Sequence, residues 1–117
     1  MHLRDVMDLL GGEAAWGLDL LDGIPVVACF AADLMSDVLA FAVPGALLLT
    51  GLVSIQAAHA ADVAELAGVV FVAGKRPAPP VLDLARENGT PLLVTPLSLY
   101  EACGRLHAAG LPPGVRA

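Results

Sequence analysis

The side chains able to do chemistry fall in four short polar segments: Asp33 with Ser36, Thr50-Gly51, Gly74-Lys75-Arg76, and Thr95 with Ser98. Each closes or follows an apolar run, so each belongs at the end of a strand. Gly51 and Gly74 have no side chain to shield their backbone N–H groups. The helices expected downstream place partial positive charge nearby. Lys75-Arg76 is the only adjacent pair of cations in the chain. Donors of this kind suit a phosphate or a nucleotide, so Asp33, Ser36, Thr50, Gly51, Gly74, Lys75, Arg76, Thr95 and Ser98 are candidate ligand contacts.

Structural roles compete with that reading. Asp33 also reads as an N-cap, and Ser36 and Asp37 as favourable charge and polarity early in a helix. Lys75-Arg76 also reads as a solvated turn, Thr95 and Ser98 as turn and cap residues, and His59 as a polar-face histidine. No GxGxxG, GxxxxGK[ST], GxSxG, CxxC or HExxH motif occurs. The three histidines and two cysteines lack metal-ligand spacing. No metal and no cofactor is expected, and no catalytic residue is assigned. A small enzyme or phosphotransfer accessory would have to draw on Asp33, His59 and Lys75.

The elements that position these residues follow from hydrophobic pattern. Ala46–Thr50, Val69–Ala73 and Pro91–Thr95 are uniformly apolar strands, which must be covered on both faces. Pro25–Ala32 reads as a further buried strand, and Glu13–Gly23 as either a short strand around Ala15-Trp16 or a loop. Helices are expected from Leu3 to Leu10, from Met35 to Ala42, from Ser54 to about Ala67, from Pro79 to Asn88, and from Ser98 onward. Pro79-Pro80 opens one helix and Ser98 with Glu101 makes a capping box for another. The expected fold is α/β, a three-layer α/β/α domain on a mostly parallel sheet of four to five strands. The domain should occupy residues 1–111, with 112–117 an irregular tail.

Composition narrows the function. A net charge of −6 opposes binding to nucleic acid or to an anionic membrane surface. The 24 uncharged residues from Val38 to Ala61 are long enough to span a bilayer, but Pro44-Gly45 and the polar residues after it argue for helix, turn, strand and helix. Cys29 and Cys103 read as buried, inert thiols, and the absence of a signal-like N-terminus points to the cytoplasm. A chain that is 57% hydrophobic and only 4% aromatic should leave apolar surface for a second copy to cover.

Asp33-Leu34-Met35-Ser36-Asp37-Val38-Leu39, Leu48-Leu49-Thr50-Gly51-Leu52, Val70 to Pro77, Gly89 to Thr95 and Tyr100 to Leu106 together resemble the small DRTGG-domain proteins, over nearly the whole chain. The resemblance implies an α/β/α regulatory domain without catalytic activity, forming dimer contacts and helping to bind a nucleotide effector, with a larger enzyme as partner. It also brings an alternative, a phosphotransfer or hydrogenase-associated accessory protein. The name-giving Asp-Arg pair is missing: Leu52-Val53-Ser54 follows Thr50-Gly51. The loop after Gly51 is therefore open to two roles, phosphate binding or a subunit contact.

Overall fold

A computed structural model describes residues 1–116. The elements run α1 (Leu3–Leu9), β1 (Glu13–Trp16), a 3-10 turn (Leu18–Gly23), β2 (Ala28–Ala31), α2 (Met35–Phe41), β3 (Ala46–Thr50), α3 (Ile55–Val63), β4 (Gly68–Phe71), α4 (Pro79–Asn88), β5 (Leu92–Val94) and α5 (Leu99–Ala108). They form one five-stranded sheet in the order β1-β5-β4-β3-β2. β2 to β5 are parallel. β1 lies antiparallel to β5, with an irregularity in register between Ala14 and Trp16. This is the α/β/α arrangement expected from the apolar runs.

Alternation within the strands divides the core. Ala46, Leu48, Val69, Phe71 and Leu92 face one layer, together with Val38, Ala57, Ala61, Val81 and Ala85 of α2, α3 and α4. Leu47, Leu49, Val70, Val72 and Leu93 face the other, against Leu3 and Val6 of α1 and Ala102 and Leu106 of α5. Each fully buried Leu, Val or Phe contributes about 1.5–3 kcal/mol of transfer free energy, so the strand runs themselves dictate a covered sheet. Four alanines of α3 are buried, and their small side chains let that helix lie close on the strands.

Strand order also dictates where the helices go. The chain steps from β2 to β3 to β4 to β5 in one direction, and right-handed crossovers place α2, α3 and α4 on the same face. After β5 the chain turns to the opposite face and makes α5. Two expected elements fall short of their apolar patterns by four residues or more. β2 occupies Ala28–Ala31 rather than Pro25–Ala32, because Pro25 has no N–H for a ladder and instead bridges His2. α3 ends at Val63, where Glu65 at φ 56 turns the chain and the Ala67 N–H donates to Ala46 O at 2.8 Å.

Residues 112–114 lie along the outer edge of β2, and Val115 and Arg116 continue past it to the end of α2. The Cys29 N–H donates to Pro112 O (3.0 Å), the Gly114 N–H to Cys29 O (2.7 Å), and the Arg116 N–H to Phe41 O (2.7 Å). This strap covers an edge that would otherwise present unpaired backbone groups. Gly114 makes the approach possible, because a Cβ there would sit 2.8 Å from the Cβ of Ala46 and 3.1 Å from that of Ala28. Gly114→Ala is expected to cost about 1–3 kcal/mol in urea denaturation, the range for overpacking a filled site. Unchanged stability would show that the strap is not seated.

Candidate functional site

The carboxyl ends of the parallel strands form a continuous rim. Asp33, two residues past β2, turns toward the end of β3. Its Oδ1 accepts from the Thr50 hydroxyl at 2.9 Å and from the Gly51 N–H at 2.8 Å. Thr50 Oγ1 in turn accepts from the Leu52 N–H at 3.0 Å. Lys75, from the β4–α4 loop, donates to Gly51 O at 3.2 Å. A carboxylate, a hydroxyl and an ammonium from three strand ends thus meet at Gly51.

The N-cap reading of Asp33 does not hold. Leu34 is the N-cap of α2 and makes no side-chain cap bond, because the Asp33 carboxylate is engaged across the sheet. Nor are the glycine amides open as expected. The Gly51 N–H is taken by Asp33, and the Gly74 N–H donates to Thr95 O at 2.8 Å.

Thr95 is fully buried. Its hydroxyl donates to Leu10 O at 2.7 Å and accepts from the Leu97 N–H at 3.2 Å. It joins the β5–α5 turn to the end of α1 and does not face solvent. Ser98 caps α5 by accepting from the Glu101 N–H at 3.2 Å, as its spacing from Glu101 indicates.

The adjacent cations diverge. Ala73 (φ 57) and Gly74 (φ 68) are consecutive left-handed residues, which swing the chain at the end of β4. Lys75 then points along the rim to Gly51, while Arg76 points the other way and pairs with Glu13 of β1.

Two openings flank the rim cluster. A groove of about 370 Å³ lies between α2 and α3, lined by Asp33, Leu34, Ser36, Leu39, Leu52 and His59 among others. A second opening of about 370 Å³ lies between the α1–β1 turn and the loops after β4 and β5, lined by Gly11, Gly12, Glu13, Gly74, Arg76, Val94 and Pro96. Volumes of roughly 300–1,000 Å³ are those of small-molecule sites. Of the residues an enzyme would need, Asp33 and His59 share the α2–α3 groove, whereas Lys75 does not line it.

Cys29 and Cys103 are half-buried rather than buried. They line a small apolar cleft of about 170 Å³ with Leu106, Leu111 and the two strap prolines. Burial raises both thiols above the ordinary range, Cys29 from 9.0 to about 12. The neutral thiol is the form the fold favours, so this stabilisation is present below pH 9 and is lost as pH rises toward 12. Alkylation of Cys29 by iodoacetamide should therefore keep accelerating with pH well above 9. A rate that levels off near pH 9 would show the site to be solvated.

A sheet in this order, with three helices on one face and two on the other, makes a three-layer α/β/α domain. No family model matches the sequence, and no curated protein does. Among solved structures, the chain matches the crystal structure of the CBS and DRTGG domains of the regulatory region of Clostridium perfringens pyrophosphatase, complexed with the activator diadenosine tetraphosphate. The TM-score is 0.75 at 20% sequence identity, over 94% of this chain and 47% of that one. The likeness is one of fold, and this chain corresponds to less than half of the matched chain.

Proposed function

We propose that the protein is a non-catalytic regulatory module that binds an adenine nucleotide along the rim and works as a homodimer in the cytoplasm. The observation that carries this reading is the cluster at Gly51, where Asp33, Thr50 and Lys75 converge beside the α2–α3 groove. Leu34, Leu39 and Leu52 give that groove an apolar surface for a base. The second carboxylate oxygen of Asp33 is the acceptor for a ribose hydroxyl, and Lys75 is the cation for the phosphates. The activator bound in the matched pyrophosphatase region is itself a dinucleoside polyphosphate.

The same face supports the dimer. Leu34, Leu39, Phe41 and Ile55 are between 46% and 60% exposed on α2 and at the start of α3. A second copy packed there would remove this apolar surface from water and close the groove over its ligand. Nucleotide binding and dimerisation then strengthen each other by equal factors. Light scattering after size exclusion, with and without ATP, tests both. The reading requires twice the chain mass at micromolar concentration, with dimer favoured further by ATP. A monomer under both conditions rejects the dimer.

A further inference from the structure

The opening at Arg76 sits at a particular place in the topology. β4 and β5 are parallel neighbours, but the chain leaves β4 for α4 on one face and leaves β5 for α5 on the other. Loops that part to opposite faces leave a crevice beyond the strand ends, the general location of ligands in open α/β sheets. Here the crevice is floored by Gly11, Gly12 and Gly74, whose lack of side chains leaves its walls bare. Gly12 is forced to be glycine by packing, since a Cβ would lie 2.7 Å from Val94 O. The charged side chains lining the crevice are Arg76 and Glu13.

We propose that this crevice is a polyphosphate seat whose guanidinium is held in reserve by Glu13. The inference rests on the proposed nucleotide reading and extends it, taking the terminal phosphates past Lys75 to Arg76. Arg76 and Glu13 are both more than half exposed, and an exposed ion pair is held only weakly against water and competing ions. A phosphate group carries more charge than one carboxylate and matches the guanidinium fork as well. Such an anion displaces Glu13, and Glu13 lowers the apparent affinity for it. Because Glu13 belongs to edge strand β1, the exchange frees β1 from its side-chain tie to the β4–α4 loop.

Titration of the full chain with tripolyphosphate by calorimetry tests the seat without relying on adenine recognition. Glu13→Gln should bind tripolyphosphate about fivefold more tightly than the native chain, the effect of removing one exposed competitor. Glu13→Gln with Arg76→Ala should lose that gain, and thermal melts of each variant show that it is folded. If Glu13→Gln binds no more tightly than the native chain, or neither binds, the seat is refuted. A parallel ATP titration separates the two ideas. Native binding of ATP with no Glu13 effect keeps the nucleotide reading and removes the seat. A tripolyphosphate gain in Glu13→Gln with no ATP binding by either protein keeps the seat and removes adenine recognition.

Discussion

Thr95→Val is expected to lower the stability of the folded protein by about 2–4 kcal/mol, because one buried and one part-buried backbone group lose their partner and each such loss costs about 1–3 kcal/mol. The substitution keeps the shape of the side chain and removes only its hydroxyl function. The Leu10 carbonyl then loses a 2.7 Å donor and the Leu97 N–H loses its acceptor. Both lie where the α1 end, β5 and α5 meet, so the loss should appear as a lower urea midpoint with an unchanged slope. The folded fraction should keep the native affinity for ATP, since Thr95 is fully buried and has no route to a ligand. A stable Thr95→Val protein with impaired nucleotide binding would return Thr95 to the site.

Asp33→Ala is expected to do the reverse, with the larger effect on binding. Asp33 is exposed, so water partly replaces its carboxylate at the Thr50 hydroxyl and the Gly51 N–H. A stability loss of about 1–2 kcal/mol follows, at the lower end for hydrogen bonds to a charged group. ATP affinity should fall about tenfold, equivalent to one good ribose contact of about 1.4 kcal/mol. Asp33→Asn separates the two effects, because its amide oxygen still accepts from Thr50 and Gly51. Calorimetry of the three proteins decides the matter. Equal ATP affinity in all of them would leave Asp33 a purely structural tie between β2 and β3.

The central strands were legible because burial on both faces leaves no room for polar residues. Ala46–Thr50 is buried throughout and reads as such. β1 was ambiguous for the opposite reason. It is four residues long, lies at an edge, and carries Glu13 exposed at its start, so no periodicity develops over so short a run. The candidate site was legible as residue types at strand ends but not as partnerships. Asp33 meets Gly51 across 18 positions and Arg76 meets Glu13 across 63, and only the strand order brings those pairs together. Glu13 was missed for that reason. A threonine that serves a ligand and one that ties two loops look identical in sequence, and for Thr95 burial makes the difference. The thiols show the converse: apolar neighbours suggested full burial, but the cleft beside the strap leaves both partly open.

Nucleotide binding at the rim can be read residue by residue by titrating the isotopically labelled chain with ATP and following its amide chemical shifts. A nucleotide seated there produces saturable changes confined to the rim and groove, at Asp33 to Ser36, Thr50 to Leu52 and Gly74 to Arg76, with the strap at 112–116 unmoved. Amides that stay fixed at millimolar ATP, or that shift only on the strap and α5, would contradict binding there.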